Sequence, residues 1–202
     1  MSAKLDHLAV AAATLEAGQA AVEAALGVAL RPGGQHARYG THNALLGLGA
    51  GRYLEVIAPD PAAPPPEVPR WFGLDHVGGP PRLANWIVRV EDVEAARAAL
   101  PVDPGPIVEM ARGALRWRIT VPEDGSLPLG GGCPTLITWD AGGPPPGETL
   151  PVSGVGLVRL VVRHPQGAAL AAAFGPVEGV EIGTGDFALK AVFTTPRGEV
   201  AL

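Results

Sequence analysis

Two polar residues, His7 and Glu55, stand within runs that the apolar pattern predicts to be buried strands. Side chains alternate across a strand, and each of these residues is centred on an otherwise apolar face. A buried carboxylate is strongly destabilising unless it is paired, protonated or bound to a metal ion. Two interpretations are therefore open: a catalytic or metal-binding site built on His7 and Glu55, or a buried Glu–His hydrogen bond that serves only the fold.

The densest polar motif of the chain lies between these two residues. It runs Gly33-Gly-Gln-His36 and then Gly40-Thr-His-Asn43, and it puts Thr41 and Asn43 on one face of the strand that follows. Uncharged donors and acceptors of this kind suit the fixing of a small ligand. The alternative is a turn whose side chains cap their own backbone.

Tryptophan is concentrated in the middle of the chain, because all four tryptophans fall between positions 71 and 139. Trp117 and Trp139 share strand faces with apolar neighbours such as Ile137. Such a cluster is either plain core or the apolar wall of a ligand pocket. Arg116 and Arg118 alternate with these residues and are predicted to face solvent.

An internal repeat supplies the elements that would position these residues. Thr14 and the three residues after it align with the stretch that begins at Asp92, and each stretch follows a largely apolar run. Thr14 and Asp92 are predicted N-caps, because their side-chain oxygens can accept from a free N–H of the first helical turn. Gly27 predicts the end of the first helix, and Pro101 that of the second.

Each of these helices is followed by three strand-like runs, so each unit reads β-α-β-β-β. The first such run after the first helix is predicted at Val28–Arg31. A third copy of the unit begins at Gly156. Proline-rich linkers follow the first two units at Pro59–Pro69 and Gly142–Pro151, and a proline tract cannot continue a strand ladder.

The repeat predicts an α+β fold in which tandem βαβββ modules form a cupped mixed sheet. We expect a paired domain over residues 1–145, with modules at 1–60 and 83–141. Residues 152–202 are expected to form a partial third βαβββ-like unit at the C-terminus. A free sheet edge in this unit would allow the chain to form a homodimer.

Composition excludes several classes of function. Of the 202 residues, 47% are hydrophobic and 17% are charged, which excludes a disordered chain. The net charge is −5 and no two basic residues are adjacent, so we expect no nucleic-acid partner. No apolar run approaches the roughly 20 residues of a membrane-spanning helix, and we expect neither a membrane association nor a targeting peptide. The single Cys133 cannot form an intrachain disulfide, which suits a cytoplasmic protein.

Three motifs of the first module carry a family resemblance: the run Leu5-Asp-His7, the pattern Gly33-Gly-x-His36…Gly40-Thr-x-Asn43, and Tyr53-Leu-Glu55. They resemble the glyoxalase-like domain proteins of the vicinal oxygen chelate superfamily, which also includes glyoxalases, extradiol dioxygenases and bleomycin-resistance proteins. The resemblance covers nearly the whole chain and is most specific in its first 58 residues. It implies paired βαβββ modules whose sheets curl around a pocket.

The resemblance also implies a divalent metal ion, held by ligands from the first and last strand of each module. Carried over, His7 and Glu55 would be the ligands of the first module. The matching positions of the second module are Asn85, a weak neutral donor, and Ile137, which has none. Because catalytic sites normally have three protein ligands, the metal site is expected to be incomplete. One further histidine could complete the site, but only if a loop brought it inward. The candidates are His36, His42 and His76.

The expected function is that of a glyoxalase-like protein that binds a small, partly apolar molecule in the cup between its modules. The expected substrate-binding residues are His36, Thr41, Asn43, Asn85, Trp117 and Ile137. The reaction type stays open between isomerase, lyase and dioxygenase-like chemistry. If the protein is an enzyme, Glu55 would be the general base for a proton alpha to a carbonyl group, and His7 would orient Glu55 or donate to the developing oxyanion. The alternatives are a metal-free protein that sequesters a toxic or antibiotic-like compound, and an interaction module without enzymatic activity.

Overall fold

The computed structural model of the chain describes residues 2–202 and has an α+β fold with two mixed sheets. The first module consists of β1 (Ala3–Ala11), α1 (Leu15–Leu26), β2 (Arg31–His36), β3 (Thr41–Gly49) and β4 (Arg52–Pro59). The second consists of β5 (Arg82–Val90), α2 (Val93–Ala99), β6 (Ile107–Arg112), β7 (Leu115–Thr120) and β8 (Thr135–Trp139). A short helix, α3 (Pro146–Thr149), precedes β9 (Gly156–Arg163), α4 (Gly167–Phe174), β10 (Val180–Gly183), β11 (Ala188–Thr195) and β12 (Gly198–Ala201).

The strands of the two modules form one eight-stranded sheet, in the order β2-β3-β4-β1-β5-β8-β7-β6. In each module the first and fourth strands pair in parallel, and the antiparallel pair of β1 and β5 joins the modules. The sheet curls so far that its two edge strands, β2 and β6, approach each other. The predicted tandem βαβββ modules and cupped mixed sheet are confirmed.

The C-terminal unit has the predicted β-α-β-β-β order and forms its own four-stranded sheet, in the order β10-β9-β11-β12. Its pairing differs from that of the modules, because β9 pairs in parallel with the second strand of the unit rather than with the fourth. Leu160, Leu170 and Phe193 of this unit lie in the same apolar core as Leu54 and Trp86. The domain boundary between residues 145 and 152 stays a prediction.

Both predicted helix starts are confirmed by their caps. Thr14 Oγ1 accepts a hydrogen bond from the Ala17 N–H at 3.2 Å, and Asp92 Oδ1 accepts one from the Ala95 N–H at 2.8 Å. The first helix ends at Gly27, whose φ of 72° is left-handed, as predicted. No helix within residues 2–202 combines the length and the apolar character needed to cross a bilayer.

Gly18 lies within α1, where a glycine ordinarily weakens a helix. Here it faces the sheet, and a Cβ at this position would lie 2.4 Å from Cγ1 of Val56 on β4. The glycine therefore lets α1 pack very close to the sheet. Val22 and Leu26 continue the buried side of the helix.

The eight-stranded sheet separates two apolar clusters, one beneath the helices and one inside the cup. On β4, Leu54 and Val56 belong to the helix-side cluster, whereas Ile57 belongs to the cup-side cluster. This alternation follows the two-residue period of a regular strand. It leaves Glu55 on the cup side of the sheet.

A β-bulge in β1 decides which of its residues face the cup. The register of β1 against β5 shifts between Leu5 and His7. Leu5 and Leu8 both lie in the helix-side cluster, so Asp6 and His7 both lie on the opposite side. Strict alternation would put Leu5 on the face of His7, and that expectation is wrong.

The second strand of the first module lies later in the chain than the sequence indicates. A strand is predicted at Val28–Arg31, but β2 runs over Arg31–His36. Its register against β3 shifts between Pro32 and Gln35. The Pro-Gly-Gly segment is therefore a bulged part of a strand rather than a turn.

Candidate functional site

The cup holds a small cavity between the polar residues of the first module and the largely apolar residues of the second. Its walls are formed by His7, His36, Asn43, Leu45, Tyr53, Glu55, Trp71, Phe72, Arg112, Trp117, Ile119, Ile137, Trp139 and Pro146. The open space measures about 30 Å³, which is room for one or two water molecules. Because ligand pockets commonly measure about 300–1,000 Å³, the cup is nearly full as it stands.

Glu55 is the carboxylate of this cavity, and only 5% of the residue is exposed. Its Oε1 accepts a hydrogen bond from Asn43 Nδ2 at 2.5 Å. Asn43 Oδ1 in turn accepts from the Gly34 N–H at 2.7 Å, so the amide is held from both sides. The second carboxylate oxygen, Oε2, lies 3.6 Å from Nε2 of His7, which is too far for a hydrogen bond.

His7 is held by a second buried carboxylate, that of Asp6. Nδ1 of His7 lies 2.7 Å from Asp6 Oδ1, and the imidazole stacks on the Tyr53 ring with the centroids 4.3 Å apart. Asp6 Oδ2 also accepts from Arg89 Nε at 2.6 Å and from Trp139 Nε1 at 2.9 Å. These contacts fix the imidazole, with its Nε2 toward the cavity.

The environment of Asp6 keeps its carboxylate charged. Burial raises the pKa of Asp6, but the hydrogen bond from His7 and the charges around it, including Arg89, outweigh burial, so the pKa lies below its ordinary value. A charged carboxylate accepts, so the Nδ1–H of His7 donates to Asp6. Burial also raises the pKa of the neighbouring Tyr53 well above its ordinary value, and its phenol therefore stays neutral.

His36 is a neutral member of the cavity wall. Burial, followed by the charge of Arg112, lowers the pKa of His36 to about 3. Arg112 Nη1 donates to Nε2 at 3.4 Å, so the ring proton is assigned to Nδ1, which donates to Thr41 Oγ1 at 3.1 Å. Thr41 Oγ1 also accepts from Trp71 Nε1 at 3.2 Å. Thr41 therefore lies behind the wall and fixes both rings.

Two aromatic side chains, Trp71 and Phe72, fill much of the cup, and we call them the aromatic plug. They begin a 3-10 turn at Trp71–His76. Trp71 stacks on Tyr39 and on Phe72, with centroid distances of 4.4 and 5.1 Å. Phe72 has a left-handed φ of 59°, which costs a residue with a side chain about 1–2 kcal/mol.

The tryptophans divide between the two interpretations of their cluster. Trp86 is fully buried on the helix side of the sheet, where it packs with Phe174. Trp71, Trp117 and Trp139 line the cavity. Three of the four therefore form its wall, while the fourth is plain core.

The structure brings six predicted site residues to the cavity: His7, His36, Asn43, Glu55, Trp117 and Ile137. Thr41 lies behind them, and Asn85 lies outside the cavity. Asn85 Nδ2 donates to Thr135 Oγ1 at 2.8 Å, and its Oδ1 accepts from the Trp86 N–H at 2.9 Å. We therefore assign Asn85 to the support of the sheet, not to ligand contact.

Sequence reasoning misses several residues of the site, among them Asp6, Arg112 and the two residues of the aromatic plug. A polar pair between Leu5 and Leu8 is the signal for the bulge that brings Asp6 to the cup. Consecutive aromatic residues after a proline-rich linker are the signal for the plug. Arg112 has no comparable signal, because it stands at a strand end beside a hairpin.

The donor set of the cup does not fit a divalent metal ion. Within residues 2–202, no group of three or more His, Cys, Asp or Glu side chains lies close enough together to hold one. His7 and Glu55 are two donors. His36 lines the same cavity, but both of its ring nitrogens are engaged, by Thr41 and by Arg112. Asn85 is engaged in the sheet and Ile137 has no donor. The guanidinium of Arg112 lines the same cavity, and its charge would repel a cation.

We expect protein purified without chelators to carry well under one zinc, iron or manganese ion per chain, and EDTA to leave its Tm unchanged. Two protein donors are too few for a stable site, so metal removal should not affect folding. Elemental analysis and thermal melts with and without EDTA measure both quantities. Stoichiometric metal that is lost in the His7→Ala and Glu55→Ala variants would contradict this expectation.

A larger open groove of about 690 Å³ lies outside the cup, between the start of α1 and the proline-rich segment 59–70. Its lining is mostly proline and acidic residues and includes no histidine or cysteine. Two of its carboxylates are already engaged: Asp60 accepts from Gln35, and Asp75 pairs with Arg70. The cup has the better combination of groups for catalysis.

Comparison with known families gives one match over most of the chain. A family model described as "Glyoxalase-like domain" matches residues 5–177. The matched range includes both modules and the beginning of the C-terminal unit. A comparison with curated proteins found no match.

Solved structures with a similar fold are distant in sequence. A crystal structure of a hypothetical protein from Staphylococcus aureus is 14% identical with a TM-score of 0.53, and the match covers 100% of this chain and 84% of that one. A methylmalonyl-CoA epimerase from Mycobacterium tuberculosis is 22% identical with a TM-score of 0.43, and the match covers 67% of this chain and 86% of that one. At 14% identity, the likeness to the Staphylococcus aureus protein concerns the fold alone.

Proposed function

The chain belongs to the glyoxalase-like domain family of the vicinal oxygen chelate superfamily, and on this premise we propose that it is an enzyme acting on a small, partly apolar carbon acid in the cup. Glu55 is the general base, and it removes a proton from the carbon alpha to a carbonyl group. The observation that carries the proposal is the arrangement of Glu55, with one oxygen held by Asn43 and the other beside His7 in the cavity.

The two oxygens of Glu55 differ in the way that a general base requires. Asn43 holds Oε1 in place, while Oε2 has no hydrogen bond from His7, although Glu55 lines the cavity. A positioned carboxylate can accept a proton from a carbon acid at hydrogen-bond distance. As the C–H bond breaks, the proton goes to Oε2 and the electron pair moves to the carbonyl oxygen. Return of a proton to the carbon completes an exchange or an isomerisation.

His7 is the second polar group at the reacting atoms. Because its Nδ1–H donates to Asp6, its Nε2 is the ring nitrogen available to Glu55 and to a bound molecule. In this position the protonated form of His7 donates to the developing oxyanion. The stacked Tyr53 ring limits rotation of the imidazole.

The proposal requires the aromatic plug to move when a ligand enters. About 30 Å³ of open space does not admit a carbon acid beside Glu55. The plug stands on the turn that follows the proline-rich linker, and its left-handed Phe72 is a strained position that a small displacement relieves. The aromatic and aliphatic wall then covers the apolar part of the ligand.

The aromatic lining also favours a second candidate, a binding protein that sequesters an apolar compound without converting it. Trp71, Trp117 and Trp139 offer broad apolar faces that suit such a role. The two candidates differ in what Glu55 does. In the enzyme it moves a proton, and in the binding protein it only contributes affinity.

Hydrogen–deuterium exchange of small carbon acids tests the assignment of the base. We expect the protein in D2O to accelerate loss of the methyl proton signals of pyruvate or of butane-2,3-dione, followed by proton NMR. The Glu55→Gln variant should be slower by roughly 100-fold or more, because it keeps the acceptor for Asn43 but loses the base. Glu109→Gln on β6, an exposed carboxylate, is the matched control and should exchange at the normal rate.

Equal rates in the wild type and the Glu55→Gln variant would rule out Glu55 as the base. Binding of these compounds without any exchange, with affinity lost in Glu55→Gln, would support the sequestering protein instead.

A further inference from the structure

Arg112 brings a positive charge into the cup opposite the first-module residues. It is the last residue of β6, its side chain is half-buried, and it lines the cavity together with Glu55 and His7. The first module contributes the base to this cavity. The second module therefore contributes a cation to the same space.

The charge of Arg112 is not neutralised by a neighbour. In the described chain, residues 2–202, no carboxylate lies within 4.0 Å of its guanidinium, whereas Arg70, Arg89 and Arg118 are each paired with an acidic residue. Its hydrogen bond goes to Nε2 of His36, at 3.4 Å. That ring is neutral, so it accepts one N–H but compensates no charge.

The position of Arg112 depends on a glycine in the opposite edge strand. The guanidinium arm crosses Gly34 on β2, where a Cβ would lie 2.7 Å from both Cδ and Nη1 of Arg112. Gly34 is itself held by its N–H bond to Asn43, which also binds Glu55. A chain of contacts through Gly34 and Asn43 therefore connects Arg112 to Glu55.

A guanidinium in this setting suits a carboxylate, which it can bind through two parallel hydrogen bonds. We propose that the cup takes a small carboxylate carbon acid of the 2-oxo acid class, whose anionic end binds Arg112 while Glu55 removes a proton from C3, the carbon next to the keto group. This inference rests on the proposed function and extends it to a substrate class. The C–H proton passes to Glu55, the electron pair moves to the carbonyl oxygen, and Arg112 stabilises the resulting enolate.

Arg112 can therefore stabilise the negative charge that develops in the reaction. The donor set of the cup does not fit a metal ion that could do this instead. A fixed cation beside the carbonyl stabilises developing negative charge without a Lewis acid. The chain supplies both charges itself, Glu55 as the base and Arg112 as the anion site.

Binding of oxalate, a planar analogue of a 2-oxo acid enolate, tests the anion site directly. Calorimetry is carried out on EDTA-treated full-length protein, so that chelation does not contribute. We expect oxalate to bind the wild type and to bind Arg112→Gln roughly 10- to 100-fold more weakly, since a charge-assisted contact is lost. Arg112→Lys, which keeps the charge but not the planar fork, should fall between them.

Two further variants complete the design. Arg116→Gln changes an exposed arginine that only binds the carbonyl oxygens of Gly113 and Leu115, so its oxalate affinity should equal that of the wild type. Glu55→Gln should bind oxalate more tightly than the wild type, because it removes a negative charge that faces the same cavity. Circular dichroism of each variant checks that it is folded.

The outcomes separate this inference from the proposed function. Absence of oxalate binding, or equal affinity in the wild type and Arg112→Gln, overturns the anion site even if Glu55-dependent exchange of butane-2,3-dione is observed. Oxalate binding that depends on Arg112, with no Glu55-dependent exchange of either probe, supports the anion site and rejects the catalytic base. Under the full proposal, Arg112→Gln slows exchange of pyruvate more than that of the neutral butane-2,3-dione.

Discussion

Replacing Asp6 by asparagine is expected to lower the free energy of unfolding by about 3 kcal/mol, which corresponds to a Tm roughly 6–12 °C lower. The Asp6 carboxylate accepts from His7, Arg89 and Trp139, and its side chain is fully buried. An asparagine has one acceptor oxygen in place of two, so at least one buried donor loses its partner. The loss of stability lies at the lower end of the range for a buried ion pair, because the Arg89 side chain is 28% exposed.

Chemical denaturation at neutral pH measures this change. Asp75→Asn is the matched control, since Asp75 pairs with Arg70 at 2.7 Å on the surface and its loss should cost less than about 1 kcal/mol. A similar small effect in Asp6→Asn would contradict the role of Asp6 as the buried support of His7.

Acidification is expected to destabilise the protein well before its carboxylates titrate, because of His36. Burial and the charge of Arg112 lower the pKa of His36 to about 3, from an ordinary value of 6.5. As the pH falls below 6.5 the unfolded chain takes up this proton and the folded chain does not. The stabilisation is therefore complete above pH 6.5 and is lost progressively toward pH 3, at roughly 1 kcal/mol per pH unit.

Thermal melts between pH 7 and pH 4.5 compare the wild type with His36→Gln. The variant should lose most of the dependence on pH in this window, and the exposed His76→Gln should keep it. Asp6 affects stability in a separate pH range, because its pKa in the folded protein is lowered from the ordinary value of 3.8. The stabilisation from its charged carboxylate is fully present above pH 3.8 and is lost only as the pH falls below that value. A wild-type melting temperature that is constant from pH 6.5 to pH 4.5 would contradict the assignment to His36.

Local sequence signals were sufficient for the parts of this fold that follow regular geometry. The caps at Thr14 and Asp92 and the alternation along β4 depend only on neighbouring residues, and the structure confirms them. The bulges at Asp6 and in the Pro-Gly-Gly segment break the two-residue period, so alternation could not place them. Pairing in the C-terminal unit was equally inaccessible, because a strand pattern identifies faces and not neighbours.

The sequence predicts the residues that the first module contributes to the candidate site, but not Arg112 or Trp71. His7, Asn43 and Glu55 carry polar side chains on strands and were found by that contrast. Arg112 reaches the cavity only because the sheet curls until β2 and β6 approach each other, and this depends on the whole fold. Trp71 follows a proline-rich linker, a composition that indicates a boundary between elements and not a part of a cavity.

The distribution of tryptophans gives the protein an optical property of its own. Three of the four indoles line the cup, and Trp71 in the aromatic plug stacks on Phe72 and Tyr39. Displacement of the aromatic plug would change the polarity around the three tryptophans of the cup. Trp86, buried on the far side of the sheet, is a constant background. We therefore expect the intrinsic emission of the unlabelled chain to change when a ligand displaces the aromatic plug.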